Sequence, residues 1–446
     1  RVPEVAEYAR NLPGVVYVEE NLFTCSRDTQ DKITEVIRQQ DLNRVVGAAC
    51  TPITHEPLFQ ETLVNAGINP YLIEMANIRN QDSWVHSNDP DAATAKAKDL
   101  VRMAAAKTFL AGPLQQTDLP VSRSALVVGA GVAGMTAALS LARQGYPVHL
   151  VEKSEQLGGN ARSLNKTFRD EAIANFLEDM IRQLEAESRV SVHLNTGIRS
   201  VEGFIGNFKT KLSNGTSAET LEHGVAILAT GAEAYTPNEY LYGEHAAVVT
   251  HLEMDELFRN DDLRLKQSRD VVFIQCVGSR NEEHPYCSKV CCTHSIKSAL
   301  ELKNRNPQTN VYILYRDIRT YGEREDLYRE ARKRGILFFR YDPDEKPEVI
   351  ANGKQVGIRF KDSILGRRLN VDADILCLAT AIVAHDDHSL SQLFKVPVDA
   401  DGWLLEAHQK LRPVEFATEG VFLCGMAHYP KPIEESIAQA QAAAAK

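Results

Sequence analysis

Four of the eight cysteines, Cys276, Cys287, Cys291 and Cys292, fall within 17 residues in the pattern C-x10-C-x3-C-C, and the others are scattered. Thiolates at that density can complete the coordination of a tetrahedral zinc ion or of a cubane iron–sulfur cluster. The adjacent pair Cys291-Cys292 and the long first gap do not match the C-x2-C ligand pairs of zinc ribbons. On spacing alone three chemistries stay open: an iron–sulfur cluster, a zinc site, or buried and redox-active thiols. Disulfide staples are disfavoured in a reducing cytosol. A second constellation is G-x-G-x-x-G at Gly129, Gly131 and Gly134, directly after an apolar run, with Glu152 placed 21 residues after Gly131. The first glycine permits a tight turn, the second lets a pyrophosphate reach the backbone, and the third lets helix pack on strand. The helix N-terminus favours the negative charge, and Glu152 is placed to accept from a ribose. Strand, helix and acid in register read as a dinucleotide site rather than as a chance turn.

Those residues need a frame. From Ser124 the pattern is strand, glycine turn, helix, strand, in ALVVGAGVAGMTAALSLARQGYPVHLVEK. A second glycine-ended strand, GVAILATG, lies at 224–231, and a third, GVFLCG, at 420–425. Between them DVVFIQCVGSR (270–280) and NVYILYRD (310–317) flank a helical segment, a further βαβ-like unit. The expected class is α/β: a nucleotide-binding domain over 124–245 and 381–446, interrupted by a smaller α/β domain over 246–380 that carries the cysteines. A small α/β unit over 1–110 precedes it, with NRVVGAAC as a buried strand followed by the helix HEPLFQETLVNAG, and 111–123 reads as a linker holding two prolines and a glycine. The length of 446 residues supports about three domains. Lys plus Arg is 50 against 60 Asp plus Glu, and a net charge of −10 disfavours nucleic acid and anionic lipid as partners. No apolar run is long enough for a bilayer span, so a cytoplasmic protein is expected. Neither end reads as a natural start or stop, and a segment of a longer chain is expected.

LGGN (157–160), ATG (229–231) and the late GVFLCG strand together resemble the two-dinucleotide-domain flavoproteins of the thioredoxin and glutathione reductase group. That resemblance implies FAD rather than NAD in the first domain. It extends the cofactor-binding set from Gly129, Gly131, Gly134 and Glu152 to Lys153, Gly158, Gly159, Asn160, Ala229, Thr230, Gly231, Gly425 and Met426. One departure is plain: the late strand of that group usually ends Gly-Asp, where this chain has Cys424-Gly425-Met426. Another is that the second domain has CVGSRN after its first strand instead of a glycine motif, so an NAD(P)H pocket is absent or rebuilt. The redox C-x2-C of thioredoxin reductases is missing.

The strings FTCSRDTQDKI, NRVVGAACTPITHEPLF, AGINPYLIEMANIRNQDSWVH, VVFIQCVGSRNEEHPYCSKVCC, DIRTYGEREDLYREARKRGILFFRY and YPKPIEESIAQAQAAA resemble the heterodisulfide reductase A-subunit family along essentially the whole chain. The resemblance implies that Cys276, Cys287, Cys291 and Cys292 hold a [4Fe-4S] cluster beside FAD. It also implies a second iron–sulfur cluster in the N-terminal unit, for which Cys25 and Cys50 would be two ligands of an incomplete set; two ordinary buried thiols are the alternative. It further implies a homodimer within a larger complex, with other heterodisulfide reductase subunits and ferredoxin-type, hydrogenase or formate dehydrogenase donors as partners. No C-x2-C-x2-C ferredoxin run occurs, so such modules are absent or lie beyond Lys446. The activity implied is electron transfer, with electron pairs split at the flavin as in electron bifurcation. The rivals are an NAD(P)H-dependent disulfide reductase and a docking scaffold with vestigial cofactors. Lys297, on the helix after the cysteines, and Lys431, just before Pro432 and the final helix, are expected to tune the flavin, with surface lysines as the alternative. Trp84, His86 and His294 are read as packing or surface residues, and the charged stretch 316–335 as the solvated face of a helix.

Overall fold

The computed structural model of the chain describes residues 1–215, 218–385 and 389–446. They form two units, one of residues 1–120 with 408–412, the other of 121–407 with 413–446. The division falls within the stretch 111–123 read as a linker, whose last residues join the second unit: Ser122 N donates to Gly206 O at 2.8 Å.

In the first unit the apolar run at 43–50 becomes the strand Val45–Ala49, paired in parallel with Ile73–Asn77. The helix Pro52–Ala66 connects them, opening on proline and ending at Gly67 with φ +90°. Phe59 and Leu63 pack from this helix onto Ile73 and Met75. Pro90–Leu110, capped by Asp89, covers the unit through Ala97, Val101 and Ala104.

The second unit holds two five-stranded sheets in which every strand pair is parallel. The first runs Val421–Leu423, Val225–Leu228, Ala125–Val128, Val148–Val151, Val190–His193 in spatial order. Its strands read as short continuous apolar runs because helices cover them. Val132–Arg143 and the final helix Ile433–Ala445 share one core cluster, in which Ala137, Ala138 and Ala142 meet Ala440, Ala443 and Ala444. The alanine-rich end is thus a packing surface whose small side chains admit close helix approach. The second sheet runs Val248–Thr250, Ile375–Thr380, Asp270–Val277, Asn310–Tyr315, Leu337–Arg340. The chain leaves the first sheet after Leu228 and returns at Val421, so the second sheet is an insertion in the first, as the glycine-ended strands predict. Glu233–Ala234 pairs antiparallel with Ile382–Val383 where the chain crosses between them. Among the described residues, no helix is long and apolar enough to cross a membrane.

Candidate functional site

The glycine motif forms the turn its spacing requires. Gly129 has φ +101°, and a Cβ there would collide with the Ala229 carbonyl. A Cβ on Gly134 would collide with the Gly129 carbonyl, so helix and strand meet only because both are glycine. At Gly131 a Cβ would meet nothing within 4 Å: this face of the turn is the open one, where a pyrophosphate would approach. The second glycine pair closes its flank. Gly158 has φ +108° and donates to Ala130 O at 2.8 Å, and a Cβ on Gly159 would lie 3.2 Å from Gly131 Cα. Glu152 is buried at the end of its strand and accepts from Ala130 N at 2.7 Å, Ser154 N at 2.9 Å and Ser154 Oγ at 2.8 Å. Its carboxylate therefore holds the loop as well as offering its remaining lone pairs to a ribose. Asn160 ties the turn to the next strand through Ala232 O at 2.7 Å, and Lys153 is exposed. Ala229 is buried, while Thr230 and Gly231 are half-buried on the adjacent strand end. Gly425, with φ +73°, abuts the motif helix, a Cβ there lying 2.7 Å from Ala133 Cβ, and the half-buried Met426 follows it. The expected cofactor residues thus converge on one sheet end, apart from the solvent-facing Lys153.

The corresponding turn of the second sheet is built differently. Cys276 sits near the end of Asp270–Val277 with φ +64°, and Arg280 and Lys289 in the following loop have φ +57° and +66°. Three non-glycine residues in the left-handed region at one strand end and the loop after it mark stored strain of the kind found at functional sites. Cys291 and Cys292 open the helix Cys291–Arg305, and both are buried. Burial pushes the Cys291 thiol well up, reinforced by Cys292, Cys276 and Cys287. Cys292 is pushed up to about 11 by burial, with Cys276 and Cys287 adding to it. The four thiols therefore lie within electrostatic reach of one another. Among the described residues, no group of three or more His, Cys, Asp or Glu side chains is close enough to hold a single metal ion.

A collar of arginines surrounds these thiols, which the sequence reading missed. Arg280 pairs with Asp317 at 2.7 Å, and Arg319 and Arg340 reach the same carboxylate at 3.5 and 3.7 Å. Burial raises the Cys276 thiol, but Arg280 and Arg316 oppose that shift, and Arg319 does so for Cys292. Arg280 Nη1 and Arg316 Nε are buried without a hydrogen-bond partner, on two guanidinium groups that act electrostatically on Cys276. The stretch 316–335 is accordingly more than a solvated helix face. Arg324, at the start of Arg324–Lys333, is buried, pairs with Glu434 and stacks over Phe168 and Tyr321. Its signal was the run of arginines after Asn310–Tyr315, which periodicity assigns to the surface.

The two lysines part company. Lys297 reaches Asp170 Oδ1 at 2.5 Å, an ion pair to the loop after Gly159. Lys431 is 4% exposed and no surface lysine. Pro432, which follows it, is the N-cap of the final helix, with φ −71° and ψ 168°. Burial lowers the Lys431 amine to about 7, partly offset by Cys424. The bland readings stand elsewhere. Trp84 is exposed under Arg79, and His86 meets Lys96 at 3.3 Å. His294 packs on His251, ring centroids 4.3 Å apart, and pairs with Asp255 at 3.1 Å. In the first unit, Cys25 is exposed and Cys50 buried, within electrostatic reach of each other and of Arg79.

Residues 123–274 match the pyridine nucleotide-disulphide oxidoreductase family. Over 72% of this chain and 96% of its own, the T. acidophilum thioredoxin reductase structure superposes with a TM-score of 0.51 at 18% identity, a likeness of fold. The A-subunit of the H(2):CoB-CoM heterodisulfide,ferredoxin reductase of Methanothermobacter marburgensis is 35% identical over 100% of this chain and 82% of its own length. The second iron-sulfur A-subunit of the CoB-CoM heterodisulfide reductase of Methanopyrus kandleri is 34% identical with the same coverage. With relatedness of that extent running through both units, the chain belongs to the heterodisulfide reductase A-subunit family, an oxidoreductase family, on a two-dinucleotide-domain flavoprotein fold.

Proposed function

We propose that this chain is the FAD- and [4Fe-4S]-bearing electron-transfer subunit of a heterodisulfide reductase-like complex. The observation that carries the reading is the pairing of an open Gly131 cradle on one sheet with four clustered thiols at the end of the other, two of them opening a helix. Cys276 and Cys287 act on the ionisation of both Cys291 and Cys292, so the four sulfurs are neighbours, and four thiolates would complete the ligand set of a cubane cluster. The unpartnered Arg280 and Arg316 donors suit an anionic cluster that accepts N–H···S bonds. Relatives named for H(2), formate, ferredoxin and a heterodisulfide support partner subunits and donors of those kinds. In the first unit, Cys25 and Cys50 would supply two ligands of a further cluster.

A bound flavin would exchange electrons in pairs or singly, the chemistry that splitting electron pairs between acceptors requires. The chain's own part is positional and electrostatic. Gly129, Gly131, Gly134, Gly158, Gly159 and Gly231 would cradle the diphosphate and the flavin, and Glu152 the ribose. Lys297 and Lys431 would place cations toward the flavin, and the arginine collar would favour added negative charge on the cluster.

The rival NAD(P)H disulfide reductase is opposed by one observation. A Cβ on Gly278, the one glycine of CVGSRN, would fall inside the contact radius of the Tyr235 ring, so the approach a pyrophosphate needs is filled by an aromatic side chain. Anaerobic protein is expected to show a flavin absorbance band bleached by a reduced ferredoxin-type donor and unchanged by NADH or NADPH in stopped flow. Rapid bleaching by either nicotinamide would overturn the proposal in favour of its rival.

A further inference from the structure

The hydrogen bonds around Lys431 dictate one another's direction. The Gly425 backbone N–H can only donate, so the Gln439 atom it meets at 3.0 Å is the carbonyl oxygen Oε1. That oxygen also accepts from Lys431 Nζ at 2.7 Å, and Lys431 donates to Gly425 O at 2.6 Å. The Gln439 amide nitrogen is thereby aimed at His428 Nδ1, 2.8 Å away. An NH2 group donates, so that ring nitrogen carries no proton, and the ring's proton is on Nε2. Nε2 in turn donates to Glu406 Oε2 at 2.7 Å. One backbone N–H thus orients a chain from the amine to a carboxylate, with the His428 and Glu406 side chains only 11% and 6% exposed.

We infer that Glu406, His428 and Gln439 are positioning residues that set the protonation of the Lys431 amine beside the dinucleotide cradle. The placement beside the cradle is direct: Lys431 is bonded to the carbonyl of Gly425, which abuts Ala133 on the glycine-motif helix. That this amine acts on a flavin rests on the function proposed above. The charged and titratable groups facing it are the Cys424 thiol, Lys289, Glu435, Glu406 and His428, with the Tyr429 ring 4.0 Å from Nζ. Burial brings the amine to the middle of the physiological range, where Glu435 and Glu406 favour its charged form and Lys289 opposes it. In such a balance the acceptor held by Gln439 decides. Without the Glu406 carboxylate His428 can take its other tautomer, and the Gln439 amide is free to turn its NH2 toward the amine.

The test uses the purified holoprotein. NMR of 13Cε-labelled lysine follows the Lys431 titration, assigned by its loss in Lys431→Met, and spectroelectrochemistry follows the flavin potential against pH. Glu406→Gln is expected to lower the proton affinity of Lys431 at least tenfold. Gln439→Glu keeps both accepted bonds and adds a charge, and is expected to raise it at least tenfold. The break in the flavin's pH dependence should move with each, in opposite directions, which a purely structural role would not produce. NMR shifts with no movement of that break would keep the positioning chain and overturn the flavin's placement beside it. Lys431 midpoints within threefold of wild type in both variants would overturn the chain itself.

Discussion

The two five-stranded sheets of the second unit share one plan, a central strand running into a turn and then a helix, yet their turns do opposite things. After Ala125–Val128 three glycines leave an open face at Gly131, whereas after Asp270–Val277 the face is filled by Tyr235 and the turn carries Cys276. Tyr235 reaches Gly278 because it follows the strand pair Glu233–Ala234 with Ile382–Val383, its own N–H bonded to Ala381 O at 2.9 Å. The contrast teaches that the carboxyl end of a parallel sheet is a place for ligands in general. On the function proposed above, what each end would bind is set by a few side chains: glycines suit phosphate, and thiols with arginines suit an anionic cluster.

The comparison breaks most sharply at the cysteines. Cys291→Ala with Cys292→Ala is expected to abolish the cluster, seen as loss of about four irons and four sulfides per chain by chemical analysis, with the flavin retained. Zinc in the wild-type site would end the contrast as drawn.

Matched glycine substitutions sharpen it. Gly278→Ala forces a Cβ into Tyr235 at φ +74°, and is expected to cost about 1–3 kcal/mol of stability in urea denaturation. Gly131→Ala meets no protein atom within 4 Å, so stability should stay within about 0.5 kcal/mol. Flavin affinity in that variant should fall at least tenfold, roughly 1.4 kcal/mol, in equilibrium titration. Equal effects at the two positions would mean the cradles are not functionally distinct.

Lys431 provides a pH test on the nucleotide side. Its folded value of about 7 lies below the ordinary 10.5, so between those values the unfolded chain binds the extra proton and stability rises with pH. The slope from this one residue is up to about 1.4 kcal/mol per pH unit, and below about pH 7 the cost of a buried cation is present in full. Lys431→Met should remove that slope, measured as the difference from wild type in urea melts at pH 7, 8 and 9.

The smallest effect is expected at Lys297. Its charge is partly answered by Asp170, so Lys297→Met should lower the flavin potential by less than about 30 mV, under tenfold for a two-electron couple. A larger shift in the potentiometric titration would move Lys297 from a bridge between loop and helix to a principal tuner.

Much of this protein was determined by local sequence alone. The strand at 125–128, its glycine turn and Glu152 follow from a continuous apolar run and from the spacing of three glycines and an acid along the chain. The insertion of the second sheet in the first was legible in strands that end in glycine at 231 and resume at 420, and the proposed cysteine site is drawn from four thiols within 17 residues. Only the tertiary structure decided the rest. Tyr235 lies 43 residues before Gly278, and Glu406, His428, Lys431 and Gln439 come from a loop, a turn, the residue before a helix cap and the helix itself. Arg280 and Asp317 stand just past the ends of two different strands of one sheet. Nothing in a linear pattern distinguishes a lysine in water from Lys431, because charge, burial and hydrogen-bond direction are properties of what surrounds a residue in space. Periodicity reports only which side of its own element a residue takes.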